Sequence, residues 1–346
     1  MADALLSPAV GLTMCALSVA AIGISVASVR KDEFSEKKIP IMGVAGAMVF
    51  AAQMINFSIP GTGASGHIGG GILLAGLLGG IPAFLSITAV LIIQCLFFAD
   101  GGLLALGANI FNLGVIPCFV VYPVFFKPIM QDGAGIKRLS TASIVSAVAA
   151  LELGAFCVVI QTLLSGITEL PFRVFGALML PIHIVIGLVE GVVTAAVLGF
   201  VHKTRPEIIE TSLTGERLGG VSIKNVLIAL AALTVVIGGA LSLFASSKPD
   251  GLEWAIGKTI EKTGVTEAGI ADTGAVHDGA SGIQDSTAIM PDYAFSSDHG
   301  GAAATEAAGT SVAGLVGALI SFALAGAAGL AISIVKRARK RKREIV

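Results

Sequence analysis

Apolar runs long enough to cross a bilayer follow one another along nearly the whole chain, separated by short polar or glycine-rich breaks. A hydrocarbon core of about 30 Å takes about 20 apolar residues as helix. That measure predicts nine membrane segments, near 9–29, 39–59, 69–81, 82–99, 113–129, 141–165, 175–201, 225–246 and 310–335. Between the third and fourth, Gly79-Gly80-Ile81-Pro82 reads as a turn or as a kink. The stretches around Ser7-Pro8 and from Asp100 to Asn112 are too polar and glycine-rich to span. Backbone of that kind is tolerated at membrane depth only where protein satisfies its N–H and C=O groups, so a loop dipping into the bundle is expected there. The pattern gives an all-α polytopic membrane protein, seven helices followed by two more.

Composition agrees with the pattern. The 346 residues are 55% hydrophobic and 13% charged, with a mean hydropathy of +0.90, against about a quarter charged in a soluble domain. Glycine, at 44 residues, suits helices whose backbones approach closely in lipid. The net charge of −1 says nothing about nucleic acid, but no basic patch interleaved with aromatics lies outside the C-terminus, and no nucleic-acid partner is expected. Cys15, Cys95, Cys118 and Cys157 lie inside apolar runs without CxxC spacing and read as small buried hydrophobes.

Charge then orients the segments. Arg30, Lys31, Lys37 and Lys38 follow the first, Lys127, Lys137 and Arg138 the fifth, Lys203 and Arg205 the seventh, and the run Lys336–Arg343 the ninth. All fall on one side, which the positive-inside rule makes cytoplasmic, with the C-terminus there and the N-terminus outside. The His67 loop, the Asp100–Asn112 stretch and residues 165–173 then share the outer face. Asp3 stands where a signal peptide would be basic, so the first segment is expected to stay in place. A boundary follows the seventh segment: residues 1–201 form the first unit, 202–224 a polar cytoplasmic connector, and 225–346 a two-helix module carrying an outer loop, 247–309. In that loop Lys248–Ala255 and Met290–Phe295 each join Pro-Asp turn chemistry to an aromatic that would dock on a neighbouring surface. His277 and His299 are read as solvent-exposed.

Candidate chemistry rests on a few polar side chains in costly places, since a central Asp or Lys costs roughly 2.5–3.5 kcal/mol on insertion scales. His67 stands in the glycine-rich run Gly61–Gly71, and Asp100, Asn109 and Asn112 follow the fourth segment. His183 and Glu190, seven apart on one helix face, are expected to pair with Glu152 inside the bundle. No Gly-x-Ser-x-Gly, no His-Glu-x-x-His and no Gly-x-x-x-x-Gly-Lys-Ser/Thr occurs, so neither hydrolase nor ATPase chemistry is encoded. A secondary metal permease would have only Glu152 and Glu190 to line its path.

In this order, Gly66-His67, the run from Gln94 through Asp100-Gly101-Gly102 to Asn109 and Asn112, and Pro181-Ile182-His183 with Glu190–Thr194 resemble a known family. It is the substrate-binding membrane component of nickel and cobalt energy-coupling-factor transporters, the CbiM/NikM type, over residues 1 to about 201. Pro249-Asp250-Gly251-Leu252-Glu253 resembles the small NikN-like accessory subunit of the nickel members, here fused behind it. The resemblance implies Ni²⁺ as the transported substrate, or Co²⁺ for cobalamin synthesis, with no resident cofactor. It implies partners too: a membrane coupling subunit and separate ATPase subunits. Family members bind the metal at the outer face through the terminal amine, the backbone nitrogen and imidazole of a histidine in second position, and the histidine that aligns with His67. Nitrogen donors suit Ni²⁺ and Co²⁺ over magnesium or calcium. Met1 and His67 are thus the implied ligands, with Asn56, Asp100, Asn109 and Asn112 as supports behind them. The opening Met1-Ala2-Asp3 lacks the family's Met-His pair. Either the sequence begins two residues late, or Asp3 supplies an oxygen donor instead.

Overall fold

The computed structural model describes residues 1–31, 37–131, 135–220, 222–265, 274–295 and 303–343. A short 3₁₀ turn, Asp3–Leu5, precedes α1 (Pro8–Lys31), whose proline occupies a first-turn position where no N–H is needed. After α2 (Lys38–Gln53) comes a small antiparallel hairpin of β1 (Phe57–Ser58) and β2 (Ser65–Gly66), with Phe57 opposite Gly66. Then follow α3 (Gly71–Leu78) and α4 (Gly80–Phe98). The next span is continuous over Leu106–Met130: α5 (Leu106–Ile110), a π-helix (Phe111–Phe126) and α6 (Lys127–Met130). Pro117 and Pro123 lie inside the π-helix, whose wider turn tolerates two residues that lack an N–H and crowd a regular helix. The long helices α7 (Ile136–Ser165) and α8 (Phe172–Thr204) pack along each other, and α9 (Pro206–Thr214) folds back against α3. The remainder is α10 (Lys224–Gly239), α11 (Gly251–Thr263), α12 (Ala275–Thr287) and α13 (Ala303–Arg343).

Among the described residues seven helices are long and apolar enough to cross a membrane, and α2 is a shorter apolar helix. Apolar side chains such as Leu12, Val19 and Ile24 on α1, Leu164 on α7 and Val192 on α8 face outward, as a lipid solvent requires. The chain is a multi-pass helical membrane protein. Nearly all of α2 is buried, because α3, α4, α10 and α13 close around it. The accessory helices are therefore walls of the same bundle.

Three expectations need correction. The segment expected at 69–81 is no full helix. Residues 67–70 are irregular chain, with Gly70 in the left-handed region, and α3 has only eight residues, about 12 Å of helix at 1.5 Å per residue. Leu78 ends beside Lys38, whose Nζ donates to Leu78 O and Thr211 O. The chain reverses at Gly79, with φ of +84°, while Ile81 and Pro82 lie in the first turn of α4. Second, the Asp100–Asn112 stretch is a short turn only as far as Ala105, and then helix. Its asparagines are tolerated there because each finds a side-chain or terminal partner. Third, the 247–309 loop contains α11 and α12, and His277 in it is buried, 5% exposed, with Nε2 2.9 Å from Leu6 O. His299 lies outside the described residues.

Candidate metal site

A cavity of about 120 Å³ opens at the bundle end where the N-terminus, the hairpin, the loop before α5 and the start of α11 meet. Met1, His67, Asn109, Asn112, His183 and Asp250 line it, with apolar neighbours from α7 and α8. The chain terminus is fastened there from both sides. Its amine donates to Asn109 Oδ1 at 3.0 Å, and Met1 O accepts from Asn109 Nδ2 at 3.3 Å and from Gly102 N at 3.2 Å. Asp3 Oδ1 accepts from Ala105 N at 2.7 Å, so that carboxylate pins the N-terminal turn to the loop before α5. It does not line the cavity.

His67 arrives on a segment clamped at depth. Gly69 N and Gly70 N donate to Glu190 Oε2 and Oε1 at 2.7 and 3.0 Å, and Gly69 O accepts from Gln53 Nε2 at 3.0 Å. Gln94 Nε2 donates in turn to Gln53 Oε1 at 3.0 Å. One strand is thus held by α2, α4 and α8, through side chains buried in an otherwise apolar bundle. Gly70 is required twice over: its φ is +78°, and a Cβ would come within 2.4 Å of Val49 Cγ1. The expected pairing of Glu190 with His183 and Glu152 does not occur, since Glu190 is engaged by backbone N–H groups and Glu152 Oε1 has no hydrogen-bond partner.

Both histidines in the cavity are oriented by main-chain carbonyls. His67 Nδ1 is 3.1 Å from Ile68 O, and His183 Nδ1 is 2.7 Å from Met179 O, one turn back on α8. A carbonyl only accepts, so each Nδ1 donates, and the neutral form of either ring carries its lone pair on Nε2. Among the described residues no three His, Cys, Asp or Glu side chains gather closely enough to hold a metal ion.

The other polar candidates separate into different tasks. Asn109 touches the terminus, and Asn112 makes a reciprocal amide pair with Gln161 on α7, at 2.9 and 3.0 Å. Asp100 accepts from the Tyr293 hydroxyl. Burial, then the nearby Asp100 charge, hold that phenol well above its usual range. Asn56 lies away from the cavity; its carbonyl receives Ser246 N at 2.7 Å, joining the hairpin to the accessory segment. Neither Asp100 nor Asn56 lines the space beside His67.

The accessory segment closes this end. Ser65 N donates to Pro249 O at 2.8 Å, which lays Pro249 against β2 and sets Asp250 over the cavity. Asp250 caps α11 by accepting from Glu253 N at 2.8 Å, while Glu253 Oε2 accepts from Asp250 N at 3.2 Å, a reciprocal capping box. Trp254 Nε1 donates to Thr62 O at 2.9 Å, and Tyr293 stacks on Phe98 with ring centroids 5.1 Å apart. The two Pro-Asp segments are thus turns with aromatic anchors, as the sequence predicts. Gln284 on α12 adds bonds to Cys95 O and Gly101 O. What the sequence did not reveal is that His183 and Asp250 share the cavity with His67, because residues from separate units carry no pattern that says they meet.

These features define a class: a multi-pass bundle with a small cavity at one end, lined by two histidines among mostly apolar residues and clamped by an appended segment. Comparison with known proteins gives the family. The profile described as "Cobalt uptake substrate-specific transmembrane region" matches residues 1–208, and that of the PDGLE domain matches residues 224–334. This chain belongs to the cobalt uptake substrate-specific transmembrane family and carries a PDGLE domain behind it. It is 34% identical over 235 residues to the "Putative fused nickel transport protein NikMN" of Archaeoglobus fulgidus, covering 67% of this chain and 74% of the relative. To the cobalt transport protein CbiM of Geobacter sulfurreducens it is 29% identical over 203 residues, 56% of each chain. The crystal structure of a truncated transition metal transporter superimposes with a TM-score of 0.51 at 32% identity, covering 59% of this chain and 98% of that one.

Proposed function

We propose that this chain is the substrate-capturing subunit of an ATP-driven, energy-coupling-factor type importer, and that it takes Ni²⁺ from the outer face of the cytoplasmic membrane into the cavity between Met1 and His67. The observation that carries this reading is the meeting of Met1 and His67 at one cavity that opens at the bundle end. Nitrogen donors favour late divalent transition metals, and imidazole suits nickel in particular. Asn109 is the supporting residue that holds the amine in place, and Asn112 steadies the wall beside it. Cobalt is the second reading, favoured by the family description and by the CbiM relatives.

The orientation follows from charge. Lys37, Lys38 and Arg205 bond to carbonyls of Gly219, Leu78, Thr211 and Ser222, at the end remote from the cavity. The positive-inside rule makes that end cytoplasmic and the cavity end external. Hydrolysis of ATP then falls to partner ATPase subunits, acting through a membrane coupling subunit. A secondary permease is disfavoured, because Glu190 is committed to Gly69 and Gly70 and leaves Glu152 alone to line a path. We assign residues 1–201 to the capture unit, 202–224 to the connector and 225–346 to the accessory module. Uptake of radioactive nickel by cells carrying this chain, with and without coupling and ATPase subunits, tests the proposal. Uptake that needs those partners supports it; equal uptake by the chain alone contradicts it.

A further inference from the structure

The cavity contains a second imidazole that the Met1–His67 reading leaves unused. His183 projects from about a third of the way along α8, its Nδ1 occupied by Met179 O, with Nε2 left free. Among the described residues no hydrogen bond is made to that Nε2. It lies under Gly251: a Cβ built there would stand 3.5 Å from Nε2 and 3.1 Å from Cε1 of the ring. The ring is therefore held from one side by its own helix and covered on the other by the accessory segment. His67 is presented in the same tautomer from a different element, and His183 is within electrostatic reach of both His67 and Asp250. Two imidazoles fixed in the same protonation pattern, facing one small cavity that also receives a primary amine, form a set of soft-to-borderline nitrogen donors from three separate parts of the fold.

We propose that His183 Nε2 is a ligand of the transported cation, so that Met1, His67 and His183 together hold it. This rests on the capture reading above. A ligand on α8 couples the cation to two further features. One is Glu190, two turns along the same helix, which holds the His67 strand. The other is Gly251, packed against the ring itself. The cation would thus tie the capture unit to the start of α11 through one side chain.

The test uses the full-length protein in detergent and nickel chloride as the probe. X-ray absorption at the nickel edge counts imidazoles, and equilibrium dialysis measures affinity, for the wild type, His67→Gln and His183→Gln. The expected result is two imidazoles in the wild type and one in each variant. Affinity in His183→Gln should fall by more than about 100-fold, beyond the 10–100-fold that losing a residue behind the ligands costs. One imidazole in the wild type, or unchanged affinity in His183→Gln, overturns the proposal. If His67→Gln alone loses the metal, the capture reading stands and only the role of His183 fails; if the wild type binds no nickel, both fail. A purely structural role for His183 would weaken binding yet leave the wild-type count at one, so the spectrum separates the two even if His183→Gln folds poorly.

Discussion

Replacing Glu190 by glutamine isolates the clamp that positions His67. The side chain keeps its volume, so no cavity is created, and only the acceptor chemistry changes. In the native protein both carboxylate oxygens accept from backbone N–H groups, at 2.7 and 3.0 Å, in a site where Glu190 is 2% exposed. Hydrogen bonds to a charged group contribute about 1.5–3 kcal/mol each, and a buried N–H left without an acceptor costs about 1–3 kcal/mol. Glutamine offers one oxygen and turns an NH₂ toward the other donor. One bond is lost, one is reduced to a neutral bond, and one of the two N–H groups is stranded. The total is about 3 kcal/mol. If about half of this appears as disorder of the strand carrying His67, nickel affinity drops about tenfold, since 1.4 kcal/mol is one decade. Equilibrium dialysis and thermal unfolding in the same detergent provide the two readouts. Wild-type melting together with wild-type affinity would refute the clamp. Unchanged binding with lost uptake would instead point to a path through the membrane that uses Glu190.

Other substitutions probe separate parts of the account. Asn109→Leu removes the two Asn109 bonds to Met1 and leaves only that from Gly102 N, and nickel affinity measured by dialysis should fall about tenfold, for about 1–2 kcal/mol lost; no change would detach the terminus from the site. Gly251→Val places a side chain where a Cβ already lies 2.9 Å from Ile186 Cδ1 and 3.1 Å from His183 Cε1, so the accessory segment should lift and nickel should dissociate faster in stopped-flow measurements. Gly317→Leu drives a side chain into Phe50, whose ring would lie 2.0 Å from a Cβ there; overpacking of about 1–3 kcal/mol should separate α13 from α2 and lower the melting temperature. Tyr293→Phe removes the bond to Asp100, at a cost of about 1.5–3 kcal/mol for a charged partner. The folded phenol is raised above its unfolded value, so the wild type's advantage is full below about pH 10 and shrinks as pH climbs past it; a margin that grows in alkali would contradict the assignment.

Hydropathy made most of the membrane architecture legible. The runs that became α1, α4, α7, α8 and α10 are apolar at the length a bilayer demands, and no packing detail alters that requirement. The third segment was harder, because a few irregular residues followed by an eight-residue helix have no periodic signature. The helical start of the span at Leu106 was hidden in another way: Asn109 and Asn112 look like breakers until Met1 and Gln161 are beside them. Around the site, the glycines near His67 and the Pro-Asp turns announced themselves by residue type. Glu190 did not, since a carboxylate reaching back 121 positions to Gly69 resembles any acidic residue on an apolar helix. The burial of His277 was equally hidden, because Leu6 O, its partner, is 271 positions away.

The central claim is that the metal is held beside His67, and nickel binding by purified full-length His67→Ala tests it most directly. His67 lines the cavity, and its Nδ1 makes a single contact with the neighbouring Ile68 O, so the substitution leaves the clamp on Gly69 and Gly70 in place. Equilibrium dialysis should show the high-affinity site lost while thermal unfolding of the metal-free protein stays within about 1 kcal/mol of the wild type. Nickel bound as tightly by His67→Ala as by the wild type would take His67 out of the site and contradict the account.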